Sequence, residues 1–258
     1  MVEDNIQLQR WELKYLVPED VALGVRDFVS SYLELDAHGE GAPDLSYPIH
    51  NLYLDSPLLA IYWGTINGDK NRYKLRLRFY EDNPGAPVFF EIKRRMNDAI
   101  LKQRGGVRRR AVEALLHGHL PLSSELVAND GRQLVAIQRF VELMTAHRAV
   151  PVAHVAYRRE AWISQADNSV RITLDRDVLI EPEPEPQFSA DFVNPTRVFG
   201  DMVVLELKFM GRFPGWFQHL VRAFGLRQGS ASKYADGIAL RGERFFCAPD
   251  AEIGRAHV

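Results

Sequence analysis

Along Arg72–Tyr80 a cation stands at every second position: Arg72, Lys74, Arg76 and Arg78. Side chains two apart on a strand share a face, so these project together while Tyr73, Leu75, Leu77 and Phe79 project the other way. The alternation recurs. Arg10, Glu12 and Lys14 oppose Trp11, Leu13 and Tyr15, and Glu91 and Lys93 oppose Phe90 and Ile92. Arg158 shares a face with Glu160, and Arg171 with Thr173 and Asp175. Val204, Glu206 and Lys208 oppose Leu205, Leu207 and Phe209. Arginine forks and lysine point charges suit phosphate oxygens, and a carboxylate among them can hold a hard divalent cation against a phosphate. An ordinary antiparallel sheet with its polar face in water writes the same alternation, so one strand alone leaves both readings open. Two features favour a face turned to an enclosed, charged lumen over one turned to bulk water. The polar face is written in Arg, Lys and Glu on strand after strand, and amphipathic helices elsewhere in the chain need the apolar face for themselves.

The elements that must position these residues follow from periodicity and turn chemistry. Residues 9–17 read as a strand ended by Pro18, and Val21, Val25, Phe28, Val29 and Tyr32 recur at helical spacing between Glu19 and about Asp36. Strand character returns at Ile49–Asp55, and Ser56-Pro57 opens a short helix. Arg72–Tyr80 and Val88–Arg95 form a hairpin about the turn Asn83-Pro84-Gly85. A basic strand-like stretch follows up to Gly106, then helices over 108–117 and 132–147. Strands at 152–163 and 170–180 are joined by the turn residues Asp167-Asn168. The run EPEPEP at 181–186 reads as an exposed acidic connector. A strand over 202–210 and helices at 214–224 and 230–240 complete the chain, and the last ten or so residues read as frayed. The fold class is α+β, mainly antiparallel, in a single domain spanning 1–258. A closed barrel with a charged lumen and helices packed on the outside would turn each face to its proper surroundings and remove the sheet edges.

Composition narrows the classes. With 258 residues, 46% of them hydrophobic, the chain can bury a sizeable core. A net charge of −2 offers no global attraction for nucleic acid or an anionic membrane, so any anion site must be a local concentration of cations. Cys247 is the only cysteine, which excludes an intrachain disulfide and suits a reducing compartment. The N-terminus lacks the pattern of a signal peptide, and no apolar run approaches the roughly 18 residues of a membrane span. The expectation is a soluble, cytoplasmic protein. P-loop, Rossmann and nucleophile-elbow motifs are absent. His117-x-His119 reads as surface. Arg108-Arg109-Arg110 reads as a solvated helix face, a nucleic-acid contact or a continuation of a basic path.

Several motifs occur together and in order: RWELKY (10–15), LYLDSP (52–57), KLRLRFY (74–80), FEIKRR (90–95), LKQR (101–104), AYRREAW (156–162), VRITLDRDV (170–178), VLELKF (204–209) and SKYADG (232–237). Over roughly residues 8–241 the chain resembles the catalytic domain of the vacuolar transporter chaperone (VTC) complex in stand-alone form. That family lies within the triphosphate tunnel metalloenzymes. The resemblance implies a tunnel of about eight antiparallel strands that takes ATP and extends inorganic polyphosphate, with no nucleic acid as partner. It implies Lys14, Arg76, Arg78, Lys93, Arg158 and Lys208 as catalytic cations. Lys74, Lys102, Arg104, Arg171, Ser232 and Lys233 would bind phosphate, and Glu206 would hold Mn²⁺ or Mg²⁺, with Glu12 and Glu91 as further carboxylates. Ser232 and Lys233 lie at a helix start that can favour phosphate or be a plain serine cap. The hydrolases and cyclases of the wider superfamily begin E-x-E-x-K, whereas Arg10 stands at the first position here, which favours a transferase over a hydrolase. The chain lacks the inositol-phosphate-sensing domain and membrane helices of the eukaryotic complex, which leaves room for an unidentified membrane partner.

Overall fold

The computed structural model describes residues 10–97, 99–128, 130–165 and 169–247, with Arg10 described by its backbone alone. The expected Asp167-Asn168 turn and the expected frayed end beyond Cys247 lie outside the described residues. The fold is α+β, built on one ten-stranded sheet. Its strands are β1 (Arg10–Val17), β2 (Glu34–Leu35), β3 (Tyr47–Asp55), β4 (Asn71–Phe79), β5 (Pro87–Met96), β6 (Ala99–Arg108), β7 (Val150–Ile163), β8 (Val170–Pro182), β9 (Thr196–Arg197) and β10 (Val203–Met210). The main path runs β1-β10-β8-β7-β3-β4-β5-β6, with β2 on β7 and β9 on β8. That path has two ends, β1 and β6, so among the described residues backbone hydrogen bonding does not close the barrel expected from the sequence.

The helices are α1 (Glu19–Val29), α2 (Ala60–Ile66), α3 (Val112–Leu116), α4 (Gly131–Ala146), α5 (Gly215–Ala223) and α6 (Lys233–Arg241). No helix among the described residues is long and apolar enough to cross a membrane. The chain divides into two compact units. One comprises Met1–Pro48, Tyr157–Val178 and Phe199–Ala231, the other Ile49–Ala156, Leu179–Val198 and Ser232–Val258.

In the first unit Ala22, Val25 and Val29 of α1 and Phe217 and Leu220 of α5 pack against Tyr15, Ile172, Leu174, Leu205 and Leu207 of β1, β8 and β10. In the second, Ile137, Phe140 and Met144 of α4 pack against Leu75, Leu77, Phe90 and Ile92 of β4 and β5. The apolar faces of these strands are thus turned to helices in both units, and the charged faces of the same strands are left for other surroundings. Close approach of α4 depends on Gly105 of β6. A Cβ there would sit 2.5 Å from Ile137 Cγ1 and 2.6 Å from the Gln133 carbonyl oxygen, so a larger residue would push the helix off the sheet.

Three expectations need correction. The first helix stops at Val29 and gives way to β2, which pairs with Ile163 and Trp162 of β7. The short helix after β3 starts at Ala60 and not at Ser56-Pro57, because the Asp55 carboxylate takes the amides of Ser56, Ile61 and Tyr62, at 2.7, 2.8 and 2.8 Å. The acidic run is more than a connector: β8 continues through Pro182, and the Glu183 amide still bonds the Val152 carbonyl at 3.1 Å. Pro182, which has no amide to donate, sits where the strand ends.

Candidate functional site

In the second unit β4, β5 and β6 set their charged residues into rows across neighbouring strands. Arg76, Glu91 and Arg104 form one row, and Lys74, Lys93 and Lys102 form the next. The arginine row is compensated. Glu91 Oε2 accepts from Arg76 Nε at 2.8 Å and Nη2 at 2.6 Å, while Arg78 Nη1 and Arg104 Nε lie 3.7 and 3.6 Å from Oε1. Burial pushes the Glu91 carboxyl up, but Arg76, Arg78 and Arg104 outweigh it and hold the group at about 2. Glu91 is therefore committed to guanidinium groups. In the lysine row the like charges stand directly opposite one another. Lys74 Nζ donates to Ser232 Oγ at 2.7 Å, and Ser232 also caps α6 by accepting from the Ala235 amide at 3.3 Å. Lys233, beside it, is 8% exposed.

Neighbouring side chains hold these cations in place. Arg78, 9% exposed, donates from Nε to Asn51 Oδ1 at 3.0 Å, and Asn51 donates in turn to the Val155 carbonyl at 3.2 Å. Arg76 Nη1 donates to the Tyr53 hydroxyl at 3.2 Å, and the Tyr53 ring stacks on Tyr234 with centroids 4.5 Å apart. The Arg104 guanidinium lies 3.6 Å from the centroid of Phe89. Tyr234 donates to Asp55 Oδ2 at 2.7 Å, so the carboxylate that starts α2 also ties down α6.

The first unit carries a different pattern. Across β1, β10 and β8 the rows are Glu12–Lys208–Arg171 and Lys14–Glu206–Thr173, so Glu12 opposes Lys208 and Lys14 opposes Glu206, while Lys208 also stands opposite Arg171. Glu206, 4% exposed, accepts from Lys14 Nζ at 2.9 Å, from Thr173 Oγ1 at 3.4 Å and from Lys208 Nζ. Lys14 Nζ also lies 3.3 Å from Glu12 Oε1. Two carboxylates thus already converge on one cation, the Lys14 ammonium. A hard divalent ion fits between them only with that ammonium moved aside. Among the described residues no group of three or more His, Cys, Asp or Glu side chains could hold a metal, so phosphate oxygens and water would have to complete its shell. Burial lowers the Lys208 pKa and Glu206 opposes that shift without cancelling it.

The expected catalytic Arg158 stands apart. It forks onto Asp44, with Nε and Nη2 at 2.9 and 3.0 Å from the two carboxylate oxygens, and it reaches Ser46 Oγ at 3.1 Å. Its neighbour Arg159 is the residue beside Glu206, with Nη2 at 3.7 Å, and it holds Asp175 through two 2.7 Å bonds. Alternation along β7 puts the two arginines on opposite faces. Arg158 shares its face with Glu160, which is gripped by Arg26, Arg176 and Trp162 and has no oxygen to spare for a metal. Arg171 donates to Asp36 at 2.8 Å and Tyr47 at 3.3 Å. The sequence reading missed Arg159, Asn51, Tyr53 and Tyr234. The adjacent arginines in AYRREAW were the one available signal, and the choice between them was not written there.

The VTC-domain family profile matches residues 9–241. The chain belongs to the VTC family. A search of curated proteins found no match. Among solved structures this VTC domain is similar to the PH1819 protein of Pyrococcus horikoshii OT3, at 16% identity and a TM-score of 0.48, covering 90% of this chain and 99% of that one. It is also similar to a candidate adenylate cyclase of Bacillus halodurans, at 14% identity and a TM-score of 0.48, covering 87% and 94%.

Proposed function

We propose that this VTC domain is a polyphosphate polymerase that uses ATP. The terminal oxygen of the growing chain attacks the γ-phosphorus, a new P–O bond forms, the bond from that phosphorus to the β,γ-bridging oxygen breaks, and ADP leaves. The observation that carries the reading is the in-register row Lys74–Lys93–Lys102. Like charges directly opposite on neighbouring strands repel, and a polyanion laid on the row turns that repulsion into attraction. Arg76, Arg78 and Arg104, gathered on the carboxylate of Glu91, would neutralise equatorial phosphate oxygens. Ser232 and Lys233 at the start of α6 stand next to the row through Lys74.

The attacking oxygen is already anionic, so no general base is needed, whereas water would need activation. In the first unit Lys14, Arg159 and Lys208 surround Glu206 and would balance charge on a phosphate bound there. Mg²⁺ or Mn²⁺, held by Glu206 and Glu12 together with phosphate oxygens, would supply further neutralisation there. Closure of the charged face into a tunnel around the chain belongs to the same proposal.

The test is purified protein with ATP and Mn²⁺, resolved on a gel for long-chain product. Chain growth that disappears in Glu206→Gln, with nucleotide binding retained, supports the proposal. Orthophosphate without polymer would make the protein a triphosphatase, and binding without turnover would make it a phosphate-chain receptor. Either result overturns the polymerase reading.

A further inference from the structure

A run of aromatic side chains leads from the core of the first unit to its surface between α1 and α5. Phe217 is fully buried, Trp216 stands edge-on to it with centroids 4.5 Å apart, and Tyr32 lies flat on Trp216 at 4.6 Å. Tyr32 falls on the apolar period of the first helix, yet it is 50% exposed. The two helices run in opposite directions. A Cβ on Gly24 would sit 2.6 Å from Phe224 Cε1, Phe28 meets Phe224 and Trp216 at 6.2 and 6.4 Å between centroids, and Tyr32 meets Trp216. Ascending α1 therefore descends α5, and Asp27 stands about level with Arg222. Both are exposed: Asp20, Leu23 and Asp27 recur at helical spacing on the outer side of α1, and Gln218, His219 and Arg222 on that of α5. Carboxylates thus stand on one side of the aromatic seam and a guanidinium on the other. Local helix chemistry does not call for Asp27. It lies in the last turn of α1, where a carboxylate opposes the helix dipole, and its neighbour Arg26 is turned to Glu160 through bonds of 2.8 and 2.6 Å.

We propose that the α1–α5 face docks a second copy of this chain. A two-fold axis parallel to the helices and midway between them lays α1 of one copy on α5 of the other and preserves level along the helices. Asp27 then meets Arg222 of the partner subunit, and the symmetry makes the same pair twice. The aromatic seams of Tyr32 and Trp216 close on each other at the centre, with the charges at the rim, which is the ordinary anatomy of a protein interface. Self-complementarity of this kind needs an acidic and a basic side of one patch at one level, and α1 and α5 supply them. An anionic lipid surface fits the face less well, because Asp20 and Asp27 would meet its headgroups. The inference is independent of the phosphate-binding reading.

The experiment is analytical ultracentrifugation of the full chain over a dilution series, for the wild type, Asp27→Arg, Arg222→Glu, the double reversal Asp27→Arg/Arg222→Glu and Tyr32→Ala, each checked for folding by circular dichroism. The wild type should sediment as a dimer that dissociates on dilution. Each single reversal sets like charges together at both symmetry-related pairs and should raise the dissociation constant by about tenfold. The double reversal restores opposite charges and should recover most of that loss, and Tyr32→Ala should weaken the dimer by removing its centre. Asp27→Arg also relieves the conflict with the helix dipole, so it should fold at least as well as the wild type and decides the matter even where Arg222→Glu is unstable. A wild type that stays monomeric at every concentration, an Asp27→Arg dimer as tight as the wild type, or a folded double reversal that recovers nothing would overturn the proposal. A monomer that instead co-sediments with phosphatidylglycerol vesicles, and ceases to in Tyr32→Ala, would give the face to a lipid surface and overturn it equally.

Discussion

Replacing Glu91 by Gln keeps the shape of the side chain and removes the charge on which Arg76, Arg78 and Arg104 converge. A carboxyl held at about 2 in the fold against an ordinary 4.5 contributes about 3 kcal/mol of stability at neutral pH. Because the folded value is the lower one, that contribution is complete above about pH 4.5 and is lost as the pH falls through about 2. Glu91→Gln should therefore unfold in urea with about 3 kcal/mol less stability at pH 7, and the gap to wild type should have narrowed clearly by about pH 3. The lost anion has a natural replacement. Three guanidinium groups without their carboxylate repel one another, so tripolyphosphate should raise the midpoint of Glu91→Gln more than that of the wild type. A neutral-pH gap below about 1 kcal/mol, or one that does not shrink on acidification, would show that Glu91 is not the electrostatic centre of the row. A midpoint that tripolyphosphate raises no more in the variant would separate this cluster from phosphate binding.

Three further outcomes follow from the same geometry. Arg76→Ala and Arg78→Ala should each lose triphosphate affinity by roughly 1.5–3 kcal/mol in calorimetric titration, and Arg78→Ala should also lose stability because it strands Asn51 in the interior. Tyr234→Phe deletes the hydroxyl bonded to buried Asp55 and should cost about 1 kcal/mol in denaturant; a several-fold weaker triphosphate affinity would show that α6 positions Ser232 and Lys233 through this bond, and an unchanged affinity would refute it. His50 is buried, with Nδ1 3.0 Å from His154 Nε2, and burial followed by the His154 charge lowers its pKa to about 4. Since the folded value lies below the unfolded one, wild-type stability should fall between about pH 6.5 and 4, and His50→Asn should flatten that limb in urea titrations.

How much of this was legible beforehand depends on the range of the forces involved. Alternation is local: a residue's face follows from its position in the strand, so Arg76, Arg78, Lys93 and Glu206 could be assigned to charged faces without coordinates, and the helical periods of α4 and α5 were equally plain. Family motifs carried the same information across the chain. Register is not local. That Lys74, Lys93 and Lys102 form a row while Glu12 and Lys208 form a compensated pair depends on which strands pair and at what offset. Turns and long-range packing set that offset, and no window of sequence contains it. The same holds for the two arginines of AYRREAW. Each has apolar residues close by, and only the pairing of β7 and β8, with Asp175 ready to fork onto Arg159, decides which one joins Glu206. Asp55 reads in the sequence as a turn residue. Its second role, holding Tyr234 from across 179 positions of chain, exists only because folding carries α6 back to the end of β3.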